Sequence, residues 1–410
     1  MADIRAFSGI RPREDLASHI AALPYDVYDR QEAKAEIQRE PLSFLRIDRA
    51  ETNFDDSVDI YAPQVYDKAK QLLEAMICDG SYVKDDERCY YIYELTMDGR
   101  AQTGLVACAS IDDYLKGVIK KHENTREEKE QDRIRHVDIC NAQTGPIFLA
   151  YRAQEVIRDT VARTKQDKPL YDFVSPDGIR HAVWAMTNAV DIKRIEEAFA
   201  GMDDIYIADG HHRCASAVKV GLKRRAEHPG YDGTEEFNYF LSVLFPDEEL
   251  MIMPYNRVVR DLNGLSEDVF LARLSEIYEI IPKSSAVSPE KKGDVGMYLK
   301  EHWYLLTPKD ILLNDDPVEG LDVSILQKHV LGPILGIMDP RIDSRIDFVG
   351  GIRGNEELER RVHTDMQVAF SMYPTSIQEL FAVADAKMLM PPKSTWFEPK
   401  LRSGIFIHEL

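Results

Sequence analysis

The sequence predicts a mixed α/β (α+β) fold, and three observations carry that expectation. Helical and strand patterns alternate along most of the 410 residues. An Asp-Gly turn joins two strand-like runs near residue 98, as in a hairpin. The run Ile205-Tyr206-Ile207-Ala208-Asp209-Gly210-His211-His212-Arg213-Cys214-Ala215-Ser216-Ala217 reads as a strand that delivers polar groups to the mouth of a helix.

In chain order, residues 61–77 form the first clear helical pattern, with Val65, Ala69, Leu72 and Leu73 on one face. Cys89-Tyr90-Tyr91-Ile92-Tyr93-Glu94-Leu95 is a strand; Met97-Asp98-Gly99-Arg100 turns the chain, and 102–109 returns as its partner. Further helices are expected at 191–200, 213–227, 266–277 and 322–331, and strands at 204–208, 239–245 and 346–349. Phe245-Pro246-Asp247-Glu248-Glu249 is a turn between strands, which places a domain seam between 1–245 and 246–410.

Composition narrows the class. Apolar residues make up 44% and charged residues 30%, as in ordinary globular proteins. With 51 basic and 71 acidic side chains the formal net charge is −20, which disfavours nucleic acid as a partner. Screening over about 8 Å leaves room for an anionic ligand in a locally basic pocket. The five cysteines (78, 89, 108, 140 and 214) contain no C-x-x-C pair, so neither a zinc ribbon nor a disulfide framework is expected. No signal core or membrane-length apolar run is present, and a cytoplasmic location without membrane contact is the expectation. The oligomeric state is open, a homo-oligomer being compatible with the sequence.

Chemistry concentrates in a few places. The first amides of a helix lack internal partners and attract anions, so Gly210, His211, His212 and Arg213 are candidates for holding phosphate. Asp209 has a competing role as the N-cap of that helix. In the run 120–136, Thr125 and Glu128 match a capping box, so a helix is expected to start at Arg126. His122 and Glu123 precede it and face a pocket, and Lys129 and Arg133 share one of its faces. The bland alternative for this run is a solvated, salt-bridged helix. Phe348-Val349-Gly350-Gly351 reads best as an ordinary glycine turn. Leu23-Pro24-Tyr25-Asp26-Val27 and Met253-Pro254-Tyr255-Asn256-Arg257 fit extended proline segments. Lys393, Ser394 and Thr395, in a proline-bounded stretch with Lys400, suit phosphate contact or a packed arm.

Together these segments resemble the family known as domain of unknown function 1015, over nearly its full length. The matching motifs are Pro24-Tyr25-Asp26-Val27, His122-Glu123-x-Thr125 with Asp132-Arg133, Gly145-Pro146-Ile147-Phe148, the Asp209–Arg213 loop, Phe348-Val349-Gly350-Gly351 and Met390-Pro391-Pro392-Lys393-Ser394-Thr395. The Asp-Gly-His-His-Arg loop is similar to the Asp-Gly-Asn-His-Arg type of the ParB/sulfiredoxin-like fold, departing from it by a histidine where asparagine is typical. The resemblance implies a ParB/sulfiredoxin-like nucleotide-binding core in 1–245, with large additional α/β elements. Relatives of that fold include CTPases, sulfiredoxin and archaeal free-serine kinases, in which an upstream glutamate is the proposed base. Glu123 holds a comparable place.

The resemblance leads to an expected Mg²⁺-dependent phosphotransferase, moving a phosphoryl group from ADP, ATP or CTP to a small hydroxyl metabolite, with free L-serine foremost. Glu123, His122 and Asp209 are then the catalytic candidates, with Glu123 and Asp209 also the metal candidates. Gly210, His211, His212, Arg213, Arg133, Lys393, Ser394 and Thr395 are the nucleotide or phosphate candidates. A ParB-type regulatory switch without DNA binding is the alternative. A sulfiredoxin-like reaction through Cys214 is a third.

Overall fold

The computed structural model describes residues 1–125, 127–309 and 314–410, a mixed α/β protein of several sheets and helices. The chain divides into two compact units, Met1–Leu250 with Pro399–Leu410, and Met251–Glu398. The return of the C-terminal segment to the first unit is absent from the sequence expectation. Long-range pairing explains it: Ile407 bridges Ile10, and His408–Glu409 pairs with Ala142–Gln143. Ile405, Phe406 and Ile407 are fully buried there.

The first unit is built on a nine-stranded sheet. Its strands are β1 (Ile4–Arg5), β2 (Tyr90–Met97), β3 (Arg100–Ser110), β4 (Ile119–Lys120), β5 (Ile147–Tyr151), β6 (Tyr171–Val174), β7 (Arg180–Met186), β8 (Ile205–Asp209) and β9 (Tyr239–Pro246). They run in the order β4-β8-β5-β9-β3-β2-β7-β6, with β1 against β3. Only β4–β8 and β5–β9 are parallel; the other pairs are antiparallel. The β2–β3 hairpin turns through Asp98 and Gly99, both at positive φ (51° and 79°), as the Asp-Gly signal requires.

Three helices matter for the site: α1 (Pro63–Cys78), α2 (Glu127–Cys140) and α3 (His211–Glu227), with α2 packed against both others. The expected helix start at Arg126 lies outside the described residues. Thr125 does not form the expected bond with Glu128; its hydroxyl donates to Glu130, 2.6 Å away. Glu130 is buried and also paired with Lys219 of α3, so the bond that begins as a cap ties two helices together.

The second unit carries a six-stranded antiparallel sheet of β10 (Tyr255–Val259), β11 (Tyr278–Lys283), β12 (Val295–Leu299), β13 (His302–Pro308), β14 (Ile346–Gly350) and β15 (Val368–Met372). Their order is β11-β13-β12-β15-β10-β14. The helix expected over 322–331 forms as α-helix at Asp322–Leu326 and continues as π-helix at Gln327–Leu331. Among the described residues no helix is long and apolar enough to cross a membrane.

Candidate functional site

Strand β8 is buried through Ala208 and lies between β4 and β5. Its register against β5 shifts between Ile207 and Asp209, an irregularity of the kind that re-aims a side chain at a strand end. Asp209 is therefore not the helix cap. Its Oδ1 accepts the Gly210 amide at 2.7 Å and its Oδ2 accepts Lys400 Nζ at 2.8 Å. Gly210 occupies the cap position at φ 89°, and no side chain among the described residues caps α3. A Cβ at Gly210 would lie 3.2 Å from the Arg213 guanidinium, so glycine serves both the turn and the arginine.

Burial opposes ionisation of Asp209, but Lys400 and Arg213 outweigh it and hold the carboxyl well below the usual carboxylate range. The imidazoles are held the other way. His122 and His211 are 2% and 6% exposed, with rings 4.5 Å apart in an edge-to-face contact. Burial brings the His122 pKa down to about 4, although Asp209 pulls it up, and burial with the neighbouring His122 takes His211 well below its ordinary value. Both rings are neutral near pH 7. The His122 ring bonds the backbone of Ile207. Among the described residues His122 Nδ1 and His211 Nε2 have no hydrogen-bond partner. Glu123 Oε2 stands 4.0 Å from His211 Nδ1, and its side chain is 44% exposed.

Arg213 reaches another way, donating to the Pro146 carbonyl at 2.8 Å. A Cβ at Gly145 would meet Ser403 Oγ at 3.1 Å and Arg213 at 3.3 Å, which accounts for the glycine of the Gly145-Pro146 motif. Arg133 is buried, its guanidinium 4.0 Å from the Tyr25 ring centroid and 2.8 Å from Asp132. Burial opposes its charge, but Asp132, Tyr25 and Asp48 raise its pKa overall. Arg133 thus lies in a salt-bridged aromatic nook beside Arg213.

The structure brings His122, Glu123, Asp209, Gly210 and His211 together, with Arg213 extending to Arg133 and Tyr25. Lys393, Ser394 and Thr395 belong to the second unit. Ser394 Oγ donates to the Pro391 carbonyl at 2.6 Å, the Thr375 hydroxyl donates to the Ser394 carbonyl, and Lys393 Nζ sits 5.4 Å from the Tyr255 ring centroid. Three motifs converge in that unit by packing. Gly350 lies against Trp396, Tyr255 meets Trp396 edge-on at 5.0 Å, and Arg257 donates to the Lys393 carbonyl. The glycine pair at 350–351 thus makes room for an indole and for Pro254.

Cys214 is fully buried and burial pushes its thiol up, the opposite of the reactive thiolate that a sulfiredoxin-like reaction needs. Lys400 is the important residue that motif reasoning left out of the site. Its proline-bounded segment was visible, but only the fold carries that segment back to Asp209. Among the described residues no group of three or more His, Cys, Asp or Glu side chains is gathered to hold a metal ion. Mg²⁺ usually keeps several waters and takes one or two carboxylates plus substrate phosphates. Asp209, whose oxygens accept Gly210 N–H and Lys400 Nζ, and Glu123 do not form a preformed cage.

Fold and site define a mixed α/β protein whose strand–glycine–helix junction leaves helix amides, an arginine and two neutral imidazoles around one turn. The chain belongs to the family described as protein of unknown function (DUF1015), whose model matches residues 4–324. No curated protein matches it. Among solved structures it is distantly similar to a free serine kinase in complex with AMP, at 12% identity and TM-score 0.35, covering 73% of this chain and 91% of that one. It is similar also to a conserved hypothetical protein from Pyrococcus furiosus, at 14% identity and TM-score 0.35 over 74% and 94% of the two chains. A third is SbnI with a C-terminal truncation from Staphylococcus aureus, at 10% identity and TM-score 0.39 over 73% and 85%.

Proposed function

We propose that the protein is a nucleotide-dependent phosphotransferase that phosphorylates a small hydroxyl metabolite, free L-serine being the acceptor we favour. The observation that carries this reading is the Gly210 turn. There an uncapped helix start lies beside two buried, neutral imidazoles, each with an unpartnered nitrogen. Leaving such atoms unpaired costs about 1–3 kcal/mol each. A ligand that satisfies them gives the cost a purpose.

In the proposed reaction the amides at the start of α3 and the Arg213 guanidinium hold nucleotide phosphates. The acceptor oxygen forms a bond to the transferred phosphorus while the bond to the departing nucleotide phosphate breaks. The hydroxyl proton passes to the Glu123 carboxylate. His122 Nδ1, as an acceptor, orients a donor group of the ligand, and His211 serves beside it. Mg²⁺ entering with the nucleotide would be held by Asp209 and Glu123 and would neutralise phosphate charge. Lys400 keeps Asp209 ionised and fixes its direction.

The test is incubation with Mg²⁺, L-serine and ADP, ATP or CTP in parallel, with O-phosphoserine read by mass spectrometry. Product with one nucleotide supports the reading and names the donor. Glu123→Gln should lower turnover by about 10²-fold or more while nucleotide affinity stays unchanged. Full turnover in that variant removes Glu123 from the role of base.

A further inference from the structure

A second cavity, of about 190 Å³, opens within the first unit beside α1 and α2. Four tyrosines, Tyr25, Tyr28, Tyr61 and Tyr66, form part of its wall. The remaining wall joins apolar residues such as Ile47, Ile60 and Val65 to charged groups of both signs. Arg133 pairs with Asp132 at 2.8 Å, and Asp132 also accepts the Tyr66 hydroxyl at 2.9 Å. Arg49 pairs with Glu51 at 2.6 Å and donates to the carbonyls of Tyr25 and Tyr28. Asp48 is 5% exposed, accepts the Thr144 hydroxyl at 3.1 Å and lies 4.0 Å from His136. Lys129 lines the same wall, one helical turn from Arg133.

This cavity leads towards the Gly210 loop. A narrower void of about 30 Å³ shares Tyr25, Asp48, Arg133 and His136 with it and is lined also by Arg213 and Ser403. Arg133 and Arg213 both act electrostatically on the Tyr25 hydroxyl. Tyr25 therefore stands where the phosphate-facing arginine and the larger cavity meet.

We propose that the cavity is the acceptor subsite and that it takes a small free α-amino acid. Arg133 and Lys129 face the carboxylate, and Asp48 supplies the counter-charge for the ammonium. A polyanion needs a wall of one sign, and this wall alternates. A zwitterion matches it, because each of its charges finds an opposite charge and a hydrogen-bonding partner. At about 190 Å³ the space is below the roughly 300–1,000 Å³ of drug-sized pockets, so it suits a small metabolite. The assignment as acceptor subsite rests on the phosphotransfer reading of the neighbouring loop; occupancy by an amino acid is measured without it.

The experiment is isothermal titration of the full chain, without nucleotide, using L-serine, L-threonine and L-homoserine. Ethanolamine (no carboxylate), L-lactate (no ammonium) and adenosine are titrated alongside, and ADP separately. At least one amino acid should bind, tenfold or more tighter than both single-charge analogues. Lys129→Glu, a change on an exposed helix position, should weaken that amino acid at least tenfold while ADP affinity and the thermal midpoint hold. Equal binding of ethanolamine or lactate overturns the proposal. So does adenosine competing with the amino acid, or ADP binding with no amino acid bound. Amino-acid binding with the expected discrimination but no phosphorylated amino acid formed with any of ADP, ATP or CTP sustains the subsite and sinks the phosphotransferase.

Discussion

His122 and His211 are neutral because burial penalises their protonated forms more than Asp209 can favour them. For His122 the folded pKa of about 4 lies below the value of about 6.5 expected when unfolded. Between these values the unfolded chain binds more protons. The contribution is complete above pH 6.5 and is lost as pH falls through 4, amounting to about 3 kcal/mol. Replacing His122 with Gln should flatten that part of the stability–pH curve, read by denaturant melts at pH 7 and pH 4.5. An unchanged slope in the variant would mean that His122 is not held neutral. In the second unit Asp322 works in the opposite sense. Burial raises its carboxyl to about 6, so its contribution is present below the ordinary carboxylate value and lost as pH rises through 6. The difference between wild type and His122→Gln isolates the histidine from this background.

At the scale of elements, the junction of β8 and α3 depends on one backbone conformation. Gly210 sits at φ 89°, where an L side chain is strained, and a Cβ would press on Arg213. Gly210→Ala should therefore cost about 1–2 kcal/mol in stability. Displacing Arg213 should weaken nucleotide binding in the same variant; thermal melts and ADP titration check the two effects, and unaltered affinity would detach Arg213 from phosphate. The small residues Cys214, Ala215, Ser216 and Ala217 bury the next turn, and the Ser216 hydroxyl donates to carbonyls of both His212 and Glu130. These local features were legible because they have local causes: an Asp-Gly turn, a strand ending in polar residues, a small-residue helix start. The partner of Thr125 was not legible. Glu128 was the residue at capping-box spacing, whereas Glu130 is positioned by its contact with α3.

At the scale of the whole molecule, the segment Pro399–Leu410 is part of the first unit and supplies Lys400 to Asp209. Phe406 anchors it, with no exposure and with ring contacts to Tyr91 and Tyr93 at 5.1 and 5.8 Å. Phe406→Ala should cost about 3–5 kcal/mol, the range for truncating a buried aromatic side chain. A calorimetric scan that leaves the transition of the first unit in place would show that the segment is not integral to it. The net charge of −20 and the cationic surroundings of Asp209 coexist because Lys400 and Arg213 are gathered by the fold from distant positions.

The sequence by itself determined the alternation of helices and strands, the hairpin at Asp98-Gly99 and the strand–glycine–helix junction. Each depends on periodicity or turn chemistry within a short window. It also marked His122, Glu123 and the Asp209–Arg213 run as belonging together, through family motifs. Only the tertiary structure decided that Asp209 is gripped by Lys400 instead of capping α3, that His122 and His211 touch, and that Cys214 is buried. It alone placed Tyr25, Asp48 and Arg133 around one cavity. Those outcomes depend on pairings more than 70 residues apart and on burial, which sets protonation state; neither has a signature in local sequence.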